Sequence, residues 1–195
     1  MNLVLLQVKD KTKLQKEIFD EILIMSIDFI TALKMNCNNY ILNKLYNPNI
    51  YTWNWACKNG QLKIVKWLHN NNIKGCTTWI MDCAATSGYL EIVKFLHYHR
   101  TEGCTTWAMN WAATNGNLEI VKFLHKNRTE GCTVDAMDLA AANGYIEIVK
   151  FLHYNRIEGC TDYAMNIAGC CGHIEIVKFL DEIIYKNNLP NIKIH

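Results

Sequence analysis

Residues 131–158 of the chain, GCTVDAMDLAAANGYIEIVKFLHYNRIE, contain two apolar patterns of helical period on either side of one glycine. The first pattern follows Thr133, whose hydroxyl can cap a helix, and consists of Ala136, Met137, Ala140 and Ala141. Gly144 then suits the left-handed residue that ends a helix. The second pattern consists of Ile146, Val149, Phe151 and Leu152. This stretch predicts a hairpin of two short helices.

The same stretch recurs along the chain at a step of 28 residues, without an insertion or a deletion. The step is kept by two sets of glycines, which are Gly60, Gly88, Gly116, Gly144 and Gly172, and Gly75, Gly103, Gly131 and Gly159. They define five units, 47–74, 75–102, 103–130, 131–158 and 159–186. One hairpin cannot bury its apolar face alone, so neighbouring units must stack. The sequence therefore predicts an all-α solenoid of stacked helix-turn-helix repeats.

The core of each unit resembles an ankyrin repeat. Residues 137–152, MDLAAANGYIEIVKFL, are similar to the family pattern Leu-His-x-Ala-Ala-x-x-Gly-His-x-Glu-Val-Val-Lys-Leu-Leu. The resemblance covers residues 47–186 and implies a protein-binding scaffold without catalytic activity. The period of 28 is shorter than the usual 33, and the missing residues fall where an ankyrin repeat carries its projecting hairpin. We therefore expect a blunt turn there.

The family's Thr-Pro-Leu-His start is absent from every unit. Where its histidine falls, the chain has Asn54, Asp82, Asn110, Asp138 and Asn166. The Arg-Thr-Glu-Gly-Cys-Thr linker, residues 100–105 and 128–133, resembles that of short repeats multiplied in amoeba-infecting giant viruses and some protists. A viral source would place the chain in the host cell cytoplasm.

Two interpretations are open for residues 1–46, which precede the repeats. A solenoid end needs a covering unit, so the segment is interpreted as a helical cap. It also resembles a degenerate F-box, although Gln15 stands in place of the characteristic proline. That resemblance implies docking to the Skp1 subunit of a ubiquitin ligase, with the repeats selecting the substrate. The docking residues would be Leu14, Ile18, Ile22, Leu23, Phe29 and Leu33. Residues 187–195 are interpreted as a C-terminal tail.

Composition narrows the class of protein further. The formal net charge of +2 arises from mixed signs along the chain, which does not favour nucleic-acid binding. No apolar stretch is long enough to cross a bilayer. Nine cysteines without a secretory signal indicate free thiols, and hence the cytosol or the nucleus. We expect a monomer that binds a protein partner.

No catalytic, metal or cofactor site is predicted. Ser26 and Ser87 are the only serines, and neither lies in a Gly-x-Ser-x-Gly motif. The cysteines and histidines recur with the repeat, whereas a site that is needed once would not be copied four times. The periodic cysteines Cys76, Cys104, Cys132 and Cys160 are expected to be small buried residues. The periodic histidines His69, His97, His125 and His153 are expected to bond the last carbonyls of the second helix.

Candidate partner-binding residues are those that differ between units while lying at turns and at the start of the first helix. They are Tyr51, Trp79, Thr86, Ser87, Trp107, Thr114, Asn115, Asp135, Asn143 and Tyr163. The aromatic members fit either an interface or a packing ladder between repeats, and the sequence leaves both open. Trp55 and Trp111 are expected to be buried.

Overall fold

The structure is a computed structural model that describes residues 50–188, with the side chains of residues 52–183. Within this part every regular element is an α-helix. The helices are α1 Ile50–Lys58, α2 Leu62–Asn70, α3 Thr78–Thr86, α4 Leu90–His99, α5 Thr106–Thr114, α6 Leu118–Asn127, α7 Asp135–Ala142, α8 Ile146–Asn155, α9 Asp162–Cys170 and α10 Ile174–Asn188. The prediction of helix hairpins joined by blunt turns is confirmed. None of these helices combines the length and apolarity needed to cross a bilayer.

The described chain forms two compact units. The first contains residues 50–53 and Lys63–Gly75, and the second contains Asn54–Leu62 and residues 76–188. In the first unit Trp53 is fully buried, and its Nε1 donates a hydrogen bond to the carbonyl oxygen of Ile73 at 3.1 Å. Val65 and Leu68 are also buried there. This apolar cluster anchors the first unit.

In the second unit the first helices of successive hairpins, α3, α5, α7 and α9, pack side by side. Their contacts are closer than those between the second helices, because paired alanines let the backbones approach. These alanines are buried, namely Ala84, Ala85, Ala112, Ala113, Ala140 and Ala141. The second helices contribute larger buried side chains such as Ile120, Val121 and Leu124. Full burial of such a side chain stabilises the fold by about 1.5–3 kcal/mol.

Gly116 shows why a glycine ends each first helix. Its φ of +78° lies in the left-handed region that residues with a Cβ avoid. A Cβ on Gly116 would also lie only 2.6 Å from Cε1 of Tyr145, a residue of the next hairpin. The glycine therefore serves both the turn and the close approach of two repeats.

A buried ladder of hydrogen bonds joins the first helices of successive repeats. Asp82 is fully buried, and its carboxylate accepts bonds from the N–H and the hydroxyl of Thr105 at 2.9 and 2.8 Å. Asp138 accepts equivalent bonds from Thr161 at 2.8 and 2.6 Å. The Thr105 hydroxyl also accepts a bond from the N–H of Trp107 and so caps α5. One threonine thus caps its own helix and binds the preceding repeat. The cap predicted at Thr133 is displaced, because Val134 is the residue that precedes α7, although the Thr133 hydroxyl still accepts a bond from the N–H of Asp135 at 3.3 Å.

Asn110 makes the same connection with an amide group. Its Oδ1 accepts a bond from the N–H of Thr133 at 2.9 Å, and its Nδ2 donates to the Thr133 hydroxyl at 2.8 Å. The position that holds a histidine in the family pattern has therefore become an inter-repeat bridge. Asn166, in the last described hairpin, is exposed.

Three of the described blunt turns are closed by an Arg-x-Glu pair, namely Arg100–Glu102, Arg128–Glu130 and Arg156–Glu158. Arg128 Nε donates to Glu130 Oε2 at 3.2 Å, and Arg128 Nη2 bonds Glu130 Oε1. Glu130 Oε1 also accepts a bond from the N–H of Cys104 in the preceding turn at 3.3 Å. Burial alone would raise the pKa of Glu130, but bonds from Arg128 and the backbone N–H groups outweigh it and hold this pKa at about 2. The pair therefore stabilises the short turn, which stands where an ankyrin repeat has a projecting hairpin.

Candidate partner-binding surface

Three tryptophans form a cluster, which we term the indole cluster, on the first helices of the second and third repeats. Trp79 is the second residue of α3, Trp107 is the second residue of α5, and Trp111 lies one turn further along α5. The rings of Trp79 and Trp111 meet edge to face with centroids 5.3 Å apart. Those of Trp107 and Trp111 are tilted by 41° at 5.0 Å. The indoles therefore make contact with each other across two repeats.

The cluster packs and is also open to solvent. Trp79 and Trp107 remain 43% and 45% exposed. The centre of the cluster is Trp111, which is only partly exposed. The aromatic series thus packs between repeats through Trp111, while the two outer rings still show nearly half of their surface, and their role in an interface stays a prediction.

The prediction that Trp55 and Trp111 are buried is wrong for both residues. Trp55 is exposed, and Trp111 is partly exposed and belongs to the indole cluster. The fully buried tryptophan is Trp53. A signal for this existed in the sequence, because the position of Trp55 and Trp111 changes from unit to unit. It reads Trp55, Cys83, Trp111, Leu139 and Ile167.

The same surface becomes acidic in the fourth and fifth repeats. Asp135, which occupies the position of Trp107 in the next repeat, is exposed and begins α7. Its Oδ2 accepts a hydrogen bond from the Thr133 hydroxyl at 2.9 Å. Asp162 begins α9 and is also exposed, next to Tyr163, which is 51% exposed. Asp135 therefore occupies the position of the indoles, whereas in the fifth repeat Tyr163 occupies it and Asp162 precedes it by one residue.

The candidate residues that precede the glycines are engaged in bonds of the fold. Asn115 Nδ2 donates to the carbonyl oxygen of Thr86 at 2.9 Å, and Asn143 Nδ2 donates to that of Thr114 at 3.2 Å. The hydroxyls of Thr86 and Thr114 donate to carbonyl oxygens one turn earlier in their own helices. Ser87 is partly exposed. These residues lie at the C-terminal ends of the first helices, whereas Trp79 and Trp107 lie at the N-terminal ends. Asn115 and Asn143 join neighbouring repeats, and the threonine hydroxyls bond within their own helices.

The remaining candidates lie outside what the structure describes. Tyr51 is in the first turn of α1, but its side chain is outside the described residues. The predicted Skp1-docking residues also fall outside them. These are Leu14, Ile18, Ile22, Leu23, Phe29 and Leu33.

The second helices carry a more uniform surface. Exposed Lys-Glu pairs recur at a spacing of three, with Lys94 Nζ 2.8 Å from Glu91 Oε1 and Lys122 Nζ 2.8 Å from Glu119 Oε1. The expectation that the periodic histidines bond carbonyls is wrong for His97, because its Nδ1 is buried without a hydrogen-bond partner. Its ring instead meets that of Phe123 edge to face at 5.5 Å. This face repeats the same packing contacts in each copy.

The thiols of Cys104 and Cys132 are held in the protonated form by their surroundings. Burial and the nearby charge of Glu130 raise the pKa of Cys104 to about 12, and burial with the charge of Glu158 raises that of Cys132 to about 11. Cys104 and Cys132 are buried as expected, whereas Cys160 is exposed and Cys76 is partly exposed. Among residues 50–188, no group of three or more Cys, His, Asp or Glu side chains is arranged to hold a metal ion.

Stacked helix hairpins with a nearly constant second helix and a variable first helix define a helical repeat protein. The chain belongs to the ankyrin repeat family, because the family model described as ankyrin repeats (3 copies) matches residues 53–138, 80–162 and 109–190. No curated protein matches the chain. Ankyrin repeats generally mediate protein–protein interaction, and they are typically non-enzymatic modules.

Proposed function

We propose that the chain is a non-enzymatic scaffold that binds a protein partner on the face formed by its first helices. The observation that carries this proposal is the exposure of Trp79 and Trp107 on a rigid stack. Tryptophan is enriched among residues that dominate interface energies, since a large rigid ring buries much area at little cost in side-chain entropy. Asp135 holds the equivalent exposed position in the next repeat, so the fold does not require an indole there. We therefore attribute the indoles of Trp79 and Trp107 to binding.

The surrounding candidates form the rim of the proposed interface. Hydrogen bonds to the preceding repeat hold the side-chain amides of Asn115 and Asn143 in place. Their remaining polar atoms can therefore bind a partner without a further loss of side-chain entropy. Thr86, Ser87 and Thr114 line the same ends of the first helices, and Tyr163 is exposed in the fifth repeat. Tyr51 stays a prediction from the sequence. A few central aromatic residues inside a polar rim is the usual anatomy of an interface.

A site-specific photo-cross-linker tests this assignment. A photoreactive phenylalanine analogue replaces Trp107 on the first helix, or Lys122 on the second helix as the matched control. Both variants are irradiated in an extract of cells that express the chain. We expect a discrete cross-linked protein from position 107 and none from position 122. Cross-links from position 122 alone, or from neither position, would contradict the proposal.

The charges and the free thiols indicate the compartment and the kind of partner. Eight free cysteines among the described residues fit a reducing compartment, either the cytosol or the nucleus. Arginines at the turns are paired with glutamates, as in Arg100–Glu102 and Arg156–Glu158, so they offer little to a phosphate backbone. We infer a monomer that binds protein and not nucleic acid.

A second candidate function rests on the F-box-like spacing of residues 14–33. In that case the chain would be a substrate adaptor of a ubiquitin ligase, with Skp1 bound at the N-terminal segment. A pull-down of purified Skp1 tests it, using the full chain and an Ile18→Asp/Leu23→Asp variant. Binding at micromolar concentration that is lost in the variant supports the adaptor. No binding where an authentic F-box protein binds would eliminate it and leave residues 1–46 as a cap.

A further inference from the structure

The face of the first helices has an unusual distribution of charge. Helices α3, α5, α7 and α9 contain no lysine, arginine or histidine. Including α1, Lys58 is the only basic residue of the described first helices, and it lies at the N-terminal end of the series. Asp135 and Asp162 are exposed at the opposite end. The face therefore changes from aromatic to acidic along the stack.

Several basic groups elsewhere in these repeats are already paired. At the turns, Arg128 forms two bonds with Glu130, and Arg156 forms two with Glu158. On the second helices, the ammonium group of Lys150 lies 3.3 and 3.6 Å from the carboxylates of Glu147 and Glu175. These contacts reduce the positive charge that could offset the carboxylates of the first helices. A partner must therefore supply the complementary charge.

From this pattern we infer that the face binds a linear segment with apolar or aromatic residues at one end and lysine or arginine at the other. This inference rests on the proposed function. The apolar end would cover Trp79, Trp107 and Trp111, and the basic end would lie against Asp135 and Asp162. A cationic side chain beside Asp162 would also meet the ring of Tyr163, which adds a cation–π contribution.

The geometry sets the spacing within such a segment. Stacked helices lie about 8–10 Å apart, so the indole cluster and the acidic end are separated by roughly 16–20 Å over two repeat steps. An extended chain advances about 3.3 Å per residue. The apolar and basic groups of the segment should therefore be roughly five or six residues apart. Binding in the opposite direction would set the cations against the indoles and leave both carboxylates without partners.

The two aspartates also have a role within the fold that the test must separate from binding. Each lies in the first turn of its helix, where a negative charge stabilises the helix dipole. Loss of either charge can therefore lower stability without touching a partner. Thermal stability has to be measured alongside affinity for every variant.

Selection from a phage-displayed library of random 16-residue peptides tests the inference. The full chain is the bait, and a Trp79→Ala/Trp107→Ala variant removes peptides that bind elsewhere. We expect enriched peptides with a net positive charge and with aromatic or aliphatic residues separated from Lys or Arg by five or six positions. Their affinity should fall roughly tenfold in Asp135→Asn/Asp162→Asn, because two charge contacts are lost. It should also weaken as salt is raised.

The matched control is Glu91→Gln/Glu119→Gln, which removes the same number of charges from exposed positions on the second helices. Its affinity for the selected peptides should equal that of the parent. Enrichment of neutral or acidic peptides, no enrichment at all, or equal losses in the two charge variants would overturn the inference. If position 107 still cross-links a protein in any of these cases, the proposed function stands and only the partner chemistry is wrong. If it captures nothing, the proposed function fails as well.

Discussion

The first and second helices of the hairpins differ in how their sequence changes from one copy to the next. Second helices repeat the motif Ile-Val-Lys-Phe-Leu-His almost unchanged, and the Ile, Val and Leu of this motif are buried in the first four repeats. First helices keep their buried alanines, yet the second residue of the helix or its equivalent is Trp79, Trp107, Asp135 or Tyr163, each of them exposed. Copies of one repeat share the same packing problem but need not share the same partner contact.

Exposure alone does not distinguish the proposed binding face. Tyr98 and Tyr154 on the second helices are 66% and 72% exposed, which is more than the indoles. They lie at the ends of their helices, edge-on to Phe123 and Phe179 of the following repeats. The indoles differ because they form a contiguous cluster that spans two repeats. Contiguity across repeats is what a partner can recognise.

The largest effect is expected in the core of a second helix. Leu124 is almost fully buried, so Leu124→Ala should lower the free energy of unfolding by about 2–5 kcal/mol, measured by urea denaturation. Its neighbour Lys122 is the control, since it is exposed and paired only with Glu119. Lys122→Ala should change stability by less than about 0.5 kcal/mol. If the two substitutions cost the same, the second helices do not form the core.

The next effect tests the ladder that joins the first helices. Asp138→Ala leaves the N–H and hydroxyl of Thr161 without their buried, charged acceptor, which should cost about 1.5–3 kcal/mol in unfolding free energy. Asp138→Asn should cost clearly less, because Asn110 makes equivalent bonds with Thr133 one repeat earlier. Denaturation of both variants measures the difference. An Asn variant as unstable as the Ala variant would show that the ladder depends on the charge.

The smallest effect concerns pH and the turns. Hydrogen bonds hold the pKa of Glu130 at about 2, below the ordinary value of 4.5. The folded pKa is below the unfolded one, so this carboxylate stabilises the fold above pH 4.5, and the contribution is lost as pH falls toward 2. Glu130→Gln should cost about 1 kcal/mol at pH 7 and decline less than the parent between pH 4.5 and 2. Parallel declines in the parent and the variant would remove Glu130 as a source of that stability.

The fold could be predicted from the sequence, because the same pattern of apolar residues occurs five times at a constant spacing of 28 residues. The ladder from Asp82 to Thr105 was not predicted, since its partners are 23 residues apart and meet only once the turns are placed. The indole cluster was predicted in part. Trp79 and Trp107 were selected by their variation between units, whereas Trp111 was assigned to the core by its position in a short helix. Its variation between units was the better guide, because the helix is too short to bury all its apolar residues.

Two pairs of exposed aromatic residues provide the most direct test of whether the first helices bind the partner. Trp79→Ala/Trp107→Ala removes the outer indoles of the first helices, and Tyr98→Ala/Tyr154→Ala removes aromatic rings of similar or greater exposure from the second helices. Both variants are compared with the parent for thermal stability and for affinity to the protein captured at position 107. Stability and affinity must be measured on the same samples, so that a loss of folded protein is not read as a loss of binding.

The binding surface assigned to the first helices predicts that the tryptophan variant loses about 2 kcal/mol or more of binding free energy, which is roughly thirtyfold in affinity. Its melting temperature should fall by no more than that of the tyrosine variant, whose affinity should match the parent. The contrary result is a tryptophan variant that melts early while its folded fraction binds as tightly as the parent. In that case the indoles would serve packing alone, and the partner would lie on another face.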